Sequence, residues 1–375
     1  MPPFHKTVET YRQGARTLPG RYYTSPDVFA EEAERIGLRH WHCVGRADEL
    51  AGPGAYFLRQ LAGESLIVLR DSDGEPRAFY NVCRHRGTRL CEEAEGQFSE
   101  TIQCPYHAWT YRLDGRLIGA PHMAEVEGFD KSAYPLHAAT IGEWQGFLFV
   151  TLGRNPEPLD RVLEPLAERV SRFGLPALRR MRRIEYDVRA NWKLVFQNYS
   201  ECLHCPVIHP ELSGKLPYTS GANDLIAGPF LGGYMTLTPP HVSATMSGRA
   251  CALPFPGLLP EERQRAYYYT VFPNLMLGLH PDYVVYYLVW PREPGRTVVR
   301  CDWLFHPDAP DRPDFRPDEA VELWNVTNRQ DWHVCELSQA GVTSRVYAPG
   351  PYSPRESIPA AWDRAYLAAM EREQA

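Results

Sequence analysis

Two loops that each pair a cysteine with a histidine constrain this chain more than any other feature. The first loop contains Cys83 and His85, and the second, eighteen residues further on, contains Cys104 and His107. A single Cys-x-His pair means little, because an isolated cysteine is usually a small core residue. Each of these pairs, however, closes a turn between short strand-like segments. The repetition therefore predicts one shared metal centre, held by two loops of a small β domain.

Short strands and turn residues surround both loops. Alternating apolar and polar residues predict strands over 56–61, 64–70 and 77–82, with Gly and Asp between them. Asp114-Gly115 is a hairpin signal, and the apolar run at 146–152 predicts a buried strand. We therefore predict an all-β domain over residues 41–155.

The remainder of the chain mixes helices and strands. A second domain over residues 156–375 is predicted to be α+β, because strands have helices before and after them. An N-terminal helical segment over 1–40 is expected to pack on this domain. The predicted elements are a helix at 156–173, a strand entering a helix at 182–196, strands at 267–279, 283–291 and 297–307, and a helix at 317–339. The Pro- and Gly-rich segment 213–260 is predicted to be a long loop or lid.

Composition excludes several classes of function. The 375 residues suit two domains, and a net charge of −6 with a pI near 6.1 argues against a nucleic-acid partner. No apolar run approaches the roughly 20 residues of a membrane span, and the first residues lack a signal sequence. We therefore expect a cytoplasmic protein without a membrane partner. The nine cysteines are too thinly spread for a secreted disulfide framework, and those outside the two loops are expected to be core or inert.

Two kinds of metal centre suit two thiolates and two imidazoles. One is a structural Cys₂His₂ zinc site, and the other is a Rieske [2Fe–2S] cluster with two cysteines on one iron and two histidines on the other. Zinc fingers group cysteine with cysteine and histidine with histidine. Here each loop supplies one of each, which favours a cluster whose two irons are ligated differently.

A second candidate site lies in the stretch QNYSECLHCPVIHPEL, residues 197–212. His204 and His209 are five positions apart, and Pro206 is expected to break the helix so that His209 turns back toward the same metal. Two histidines and one carboxylate form the facial triad of non-haem Fe(II) oxygenases. Three acidic residues could complete it, and spacing alone does not choose among Glu201, Glu211 and Asp331.

These motifs resemble a known family. NVCRHRG and CPYHAWTYRLDGRL are similar to the Rieske signature loops, although Ala108 stands where the family usually has Gly, a change expected to have little effect. NWKLVFQNYSECLHCPVIHPEL resembles the mononuclear-iron motif in the catalytic α component of Rieske non-haem iron oxygenases, the ring-hydroxylating oxygenases. The resemblance covers both domains. It implies a Rieske domain followed by a helix-grip domain, which is an antiparallel sheet with a long C-terminal helix.

The resemblance also implies site residues. The Rieske cluster would be held by Cys83, His85, Cys104 and His107. The mononuclear Fe(II) would be held by His204, His209 and Asp331. Glu201 would then bridge this iron to the Rieske histidine of a neighbouring subunit in a homotrimer, because the two centres of one chain lie too far apart in this family. Asn198 is expected to order water or oxygen near the iron.

The implied activity is that of a terminal oxygenase. Oxygen is the co-substrate, and a C–H bond of a small organic substrate is attacked. The chain lacks a G-x-G-x-x-G fingerprint. NAD(P)H and flavin are therefore expected on a separate reductase. A non-catalytic Rieske electron carrier is the alternative from another class, and a zinc protein is a more distant one.

Glu201 gives the one hint about the substrate. Glu at the bridging position resembles the members that act on quaternary ammonium compounds such as choline, carnitine and betaine. These cations favour aromatic cages, because cation–π attraction replaces the hydrogen bonds they cannot make. We predict pocket walls at Tyr269, Tyr286 and Trp290, which lie on predicted strands. Aromatic-ring hydroxylation or aryl demethylation by the same machinery is the alternative.

Overall fold

The computed structural model describes residues 3–371, which divide into two compact units. Residues 33–162 form one unit. Residues 3–32 and 163–371 together form the other. The first unit extends beyond the predicted domain 41–155 at both ends.

Within residues 3–371, the seventeen strands and eight α-helices are numbered in chain order. The strands are β1 (His42–Arg46), β2 (Ala55–Leu61), β3 (Glu64–Arg70), β4 (Pro76–Tyr80), β5 (Glu95–Gln97), β6 (Thr101–Gln103), β7 (Thr110–Arg112), β8 (Leu117–Gly119), β9 (Ala138–Trp144), β10 (Phe147–Thr151), β11 (Arg179–Val188), β12 (Ala222–Leu225), β13 (Phe230–Thr236), β14 (Arg265–Val271), β15 (Leu275–Leu279), β16 (Val284–Glu293) and β17 (Arg296–Phe305). The helices are α1 (Arg21–Thr24), α2 (Pro26–Glu32), α3 (Leu159–Val170), α4 (Trp192–Tyr199), α5 (Cys205–Ile208), α6 (Pro210–Ser213), α7 (Pro317–Val342) and α8 (Ser357–Glu371). Within residues 3–371, none of the helices combines the length and apolar character needed to cross a membrane.

The unit of residues 33–162 is built from antiparallel strands. Seven of them form one sheet in the order β1-β10-β9-β4-β3-β2-β5, and β6-β7-β8 form a smaller one. Asp114-Gly115 lies in the turn between β7 and β8, where Gly115 has a φ of +88° that suits glycine. Cys83 and Cys104 belong to the buried apolar cluster of this unit. The cysteines of the two Cys/His loops are therefore anchored in the core of this unit.

The second unit has one seven-stranded antiparallel sheet in the order β11-β17-β16-β15-β14-β13-β12. The 26-residue helix α7 packs against β11 and the shorter α4. Together the two units confirm the predicted fold class, an all-β domain plus an antiparallel sheet with a long late helix.

Two element predictions in this unit were wrong. The predicted strand 267–279 is divided into β14 and β15 at Phe272–Asn274. The predicted loop 213–260 contains β12 and β13. Its glycines suggested a loop, but at Gly232 a Cβ would lie 1.9 Å from the Tyr268 carbonyl oxygen. The glycine is there because two backbones approach closely.

Candidate active site

The two Cys/His loops of the first unit share one turn geometry. The N–H of Gly87 donates to the carbonyl of Cys83, and the N–H of Ala108 donates to the carbonyl of Cys104, both at 3.1 Å. Gly87 has a φ of +74° and Ala108 a φ of +56°. Each loop therefore folds back on its cysteine through a left-handed residue four positions later.

The conformation of Ala108 changes the interpretation of that position. Its replacement of the family's usual glycine was expected to have little effect, but a positive φ costs a non-glycine residue roughly 1–2 kcal/mol. The reason for glycine at this point of the loop is thus backbone geometry. Alanine is held there by the surrounding turn.

The donor atoms suit a Rieske cluster. Both cysteines are buried, whereas His85 and His107 are partly exposed, with ring centroids 4.7 Å apart. The His85 Nδ1 atom is buried and has no hydrogen-bond partner among residues 3–371. Burial raises the pKa of the Cys83 thiol, so the thiolate needs a cation beside it. Two inner sulfurs and two outer imidazoles match a cluster whose histidine-ligated iron faces outward.

Tyr111 is a contributor to this site that the sequence reasoning missed. Its hydroxyl lies 3.3 Å from the Cys83 Sγ and accepts a hydrogen bond from the N–H of Arg84. The phenol proton is therefore free to point toward the sulfur. Hydrogen bonds to cluster sulfurs are one of the means by which proteins set the reduction potential.

The second donor set lies in the other unit and contains three of the predicted residues. The Nε2 atom of His209 lies 2.9 Å from Asp331 Oδ1, and the Nε2 atom of His204 lies 3.2 Å from the same oxygen. His209 is almost completely buried, while His204 and Asp331 are 17% and 14% exposed. Two imidazoles and one carboxylate converge with their outer side accessible, as a facial triad with open positions requires.

Neighbouring side chains fix the orientation of both imidazoles. The Nδ1 atom of His204 lies 2.5 Å from Glu201 Oε1, and the Nδ1 atom of His209 lies 2.7 Å from Gln330 Oε1. Both oxygens accept, so both Nδ1 atoms carry the proton. This leaves each Nε2 pointing at Asp331, which is the arrangement that metal-binding histidines adopt.

The charges of this set are strongly coupled. Burial lowers the pKa of His204, but hydrogen bonds to Asp331 and Glu201 outweigh it and raise the pKa to about 10. For His209 the hydrogen bond to Asp331 likewise outweighs burial, and its pKa is raised. Burial favours the neutral form of Asp331, yet both histidines together lower its pKa. A divalent cation would replace these protons and satisfy the same carboxylate.

The local backbone differs from the predicted helix. Helix α4 ends at Tyr199, so Glu201 and His204 lie in the connection to α5 and do not share a helix face. Pro206 lies in the first turn of α5 and does not break it. His209 follows α5 with a φ of −122° and a ψ of 67°, outside the helical region. The reversal that returns His209 to the site is thus at this residue.

Cys202 and Cys205 form a disulfide that the sequence analysis did not predict. The Cys205 Sγ atom lies 3.8 Å from His204 Nε2, and its position beside His204 and His209 would also suit a metal ligand. Because this sulfur is bonded to Cys202, it does not offer a thiolate. Asp331 is the anionic donor that remains available.

A cavity of about 140 Å³ opens beside the three donors. Helix α7 lines it with Trp324, Thr327 and Asp331, which lie on one helix face. Asn198 lines it from α4. The structure thus brings Asn198, Glu201, both histidines and Asp331 to one cavity.

Three aromatic rings form one wall of this cavity. Tyr199 and Tyr268 have ring centroids 6.2 Å apart at 74°, and Tyr268 and Trp324 have centroids 6.1 Å apart at 63°. None of the predicted wall residues lines the cavity. Tyr269 bonds to Asp224 on the opposite face of its strand from Tyr268. Tyr269, the predicted wall residue, is thus one position away from Tyr268, whose ring lines the cavity.

The other two predicted wall residues are also in the sheet core. The hydroxyl of Tyr286 donates to Asp302 at 2.5 Å, and Trp290 is 7% exposed. Strand residues alternate between two faces, and the sequence does not show which face a catalytic cavity occupies. Tyr199 and Trp324, on helices, were missed because their partners arrive from distant parts of the chain.

Comparison with known proteins identifies the family. The model of the ring hydroxylating alpha subunit (catalytic domain) matches residues 175–372, and that of the Rieske [2Fe–2S] domain matches residues 40–130. The chain belongs to the ring-hydroxylating α-subunit family. It is a Rieske-type non-haem iron oxygenase, with a [2Fe–2S] cluster and a mononuclear iron as cofactors and O₂ as co-substrate. Electrons come from a separate reductase, and the alternatives of a pure electron carrier and a zinc protein are excluded.

Several relatives match most or about half of the chain. A glycine betaine monooxygenase oxygenase subunit of Chromohalobacter salexigens is 34% identical over 91% of this chain and 83% of its own length. A carnitine monooxygenase oxygenase subunit of Acinetobacter baumannii is 39% identical over 52% of this chain and 53% of its own. The crystal structure of a quaternary ammonium Rieske monooxygenase with L-carnitine matches with a TM-score of 0.78 and 27% identity, covering 95% of this chain and 96% of that one.

Proposed function

We propose that this oxygenase removes an N-methyl group from, or hydroxylates, a small quaternary ammonium compound. The observation that carries the proposal is the wall of Tyr199, Tyr268 and Trp324 beside the donor set of His204, His209 and Asp331. A quaternary ammonium group donates and accepts no ordinary hydrogen bond, so aromatic faces are its natural partners. The names of the relatives, which act on glycine betaine and carnitine, support the same class of substrate.

Electrostatics favours a cation at this end of the cavity. Glu201 lines it, and its carboxylate stabilises positive charge near the aromatic wall, whereas the charge of Asp331 is offset by the iron that we propose it binds. Aromatic substrates without charge would gain nothing from the Glu201 carboxylate. The arrangement therefore favours the quaternary ammonium class over ring hydroxylation.

We also propose that His204, His209 and Asp331 hold the iron and that Cys83, His85, Cys104 and His107 hold the cluster. When bound, the cluster would relay electrons from the reductase, and the iron would supply the site for oxygen activation. Glu201 already binds the Nδ1–H of His204, and we propose that its second role is to bridge to a Rieske histidine of the next subunit in a homotrimer. We propose that Asn198, which lines the cavity, orders water or oxygen near the iron.

The balanced reaction uses one O₂, two electrons and two protons. One oxygen atom is inserted into a C–H bond of the N-methyl group, which becomes an N-hydroxymethyl group, and the other oxygen atom leaves as water. The C–N bond of the hydroxymethyl group then breaks, giving a tertiary amine, formaldehyde and a proton. We propose that NAD(P)H and flavin act only through the reductase, in the cytoplasm.

A turnover screen with a surrogate reductase tests the proposal. Oxygen uptake and formaldehyde release would be measured with glycine betaine, carnitine, γ-butyrobetaine, choline and a set of aromatic acids. We expect oxygen uptake that depends on at least one quaternary ammonium compound, with one formaldehyde released per O₂ where an N-methyl group is removed. Turnover confined to aromatic acids would overturn the assignment and favour ring hydroxylation or aryl demethylation.

A further inference from the structure

The wall of the cavity also includes a group that the proposed reaction does not use. Thr7, Tyr218 and Arg355 line it from segments other than those that carry the iron donors. Among the described lining residues, Arg355 carries the single permanent positive charge. The same cavity is lined by two carboxylates and an aromatic wall, and neither accounts for a guanidinium at this place.

The backbone holds Arg355 in a defined position. It lies in the 3₁₀ turn Pro354–Glu356, where the Ser353 hydroxyl accepts from the Arg355 N–H and the Ser353 N–H donates to the Glu356 carboxylate at 2.8 Å. This capping box fixes the turn at both of its ends. The adjoining hydroxyls of Thr10 and Ser357 lie 2.8 Å apart, which ties the N-terminal segment to the same turn.

The guanidinium itself is available to a ligand. Its carbon lies 5.5 Å from the centroid of the Tyr218 ring, and no carboxylate among residues 3–371 forms an ion pair with it. Arg169 in the same unit, by contrast, forms an ion pair with Asp224 at 2.7 Å. The Arg355 side chain is exposed, so a charged ligand can reach it from solvent.

The two kinds of charge in this cavity match a zwitterion. Aromatic rings and the carboxylate of Glu201 suit a quaternary ammonium head, and a planar guanidinium binds a carboxylate through two parallel hydrogen bonds. We propose that Arg355 holds the carboxylate of a zwitterionic quaternary ammonium substrate and so selects betaine- or carnitine-type compounds over choline. This inference rests on the proposed function. It adds a binding residue for the carboxylate of the substrate to the aromatic wall proposed for its ammonium group.

Charge removal from either partner tests the contact. Arg355→Gln removes the guanidinium, and a methyl ester of the preferred substrate keeps the trimethylammonium head while removing the carboxylate. Competitive inhibition constants and KM values would be measured for acid, ester and choline, with oxygen uptake as the signal. Arg345→Gln, at an exposed arginine outside the cavity lining, is the matched control.

We expect Arg355→Gln to raise the KM of the acid by roughly 10- to 100-fold, the range for a lost hydrogen bond to a charged group, with kcat within about twofold. The ester should bind wild type and Arg355→Gln equally, and choline likewise. Arg355→Lys should give an intermediate KM, because lysine keeps the charge but not the paired geometry. Unchanged iron content and cluster absorbance would show that the variants are folded.

Two results would overturn the inference, and they are distinguishable from a failure of the proposed function. An equal loss of affinity for acid, ester and choline in Arg355→Gln would mean that Arg355 shapes the cavity without binding the carboxylate. No change for any of them would mean that its side chain remains in solvent. If wild type neither turns over nor binds any quaternary ammonium compound, the proposed function itself is wrong.

Discussion

The orientation of His204 and His209 depends on residues that are not ligands themselves. Glu201 and Gln330 each accept the Nδ1–H of one imidazole, which leaves both Nε2 atoms directed at Asp331. Such partners fix the tautomer and the ring plane, and their loss typically costs 10- to 100-fold in metal affinity or activity. At the scale of single residues, the site is therefore a set of five side chains.

Replacing Asp331 should remove the mononuclear iron without affecting the Rieske cluster. We expect Asp331→Ala to lose the mononuclear iron, so that iron falls from about three to about two per chain, while the visible spectrum of the cluster stays the same. Turnover should fall by at least about 100-fold. Anaerobic iron analysis with absorbance measures both, and Glu322→Ala, at an exposed acid on the same helix, is the control. Retention of three irons would contradict the assignment of Asp331.

Neutralising Glu201 should affect electron delivery more than metal binding. The amide oxygen of Glu201→Gln can still accept the Nδ1–H of His204, so both metals should remain, but the negative charge that would join the two centres is lost. We expect reductase-driven turnover to fall by at least about 10-fold while the reductase still reduces the cluster at the wild-type rate. Stopped-flow absorbance and oxygen uptake give the two rates, with Glu211→Gln as control. Wild-type turnover would show that the bridge is dispensable.

At the scale of elements, the cavity depends on how closely β13 and β14 approach. Gly232 has a φ of +139°, and the Tyr268 carbonyl occupies the space that a Cβ would need. Tyr268 is a wall residue, so the pairing of these strands also positions the aromatic wall. A glycine-rich segment that resembled a loop is thus part of the sheet that shapes the site.

Adding a methyl group at Gly232 should lower the free energy of unfolding more than adding one at a glycine that has open space around it. We expect Gly232→Ala to lower the free energy of unfolding by about 2–4 kcal/mol, because it adds both an overlap and backbone strain. Gly228→Ala, at a φ of +83° with nothing within 4 Å, should cost only the strain, about 1–2 kcal/mol. Urea unfolding of the two variants gives the comparison. Equal losses would mean that the strands move apart at little cost.

At the scale of the whole molecule, buried neutral histidines make the fold sensitive to acid. His42 lies in one unit and His280 in the other, and burial lowers the pKa of each to about 3. Neither ring nitrogen of His280 has a hydrogen-bond partner among residues 3–371. In the unfolded chain a histidine has a pKa near 6.5. Between these values the unfolded state binds the extra proton, so stability falls as the pH falls.

Replacing His280 should weaken the dependence of the free energy of unfolding on pH. Between pH 7.5 and 5.0 one such histidine removes about 2 kcal/mol of the free energy of unfolding, since each pH unit below 6.5 costs about 1.4 kcal/mol. We expect His280→Phe, whose neighbours Tyr283 and Trp324 are aromatic, to lose about 2 kcal/mol less than wild type over this range. Urea midpoints at both pH values, in matched metal states, measure it. His333→Phe, at an exposed histidine, should match wild type, and an unchanged slope in His280→Phe would contradict the prediction.

The sequence alone indicated the fold class and the cofactors through local spacing, in the loops Cys83–His85 and Cys104–His107 and in two histidines five positions apart, and it indicated the family through the resemblance of the flanking motifs. It also placed Asp331 with the histidines, although only through resemblance to a family. Tertiary structure decided the rest. Tyr199, Tyr268 and Trp324 meet from two helices and one strand, and Arg355 reaches the same cavity from the C-terminal segment. Successive side chains of a strand point to opposite faces of the sheet, and the sequence does not show which face borders the cavity. The contact of Tyr268 with Trp324 of α7 shows it.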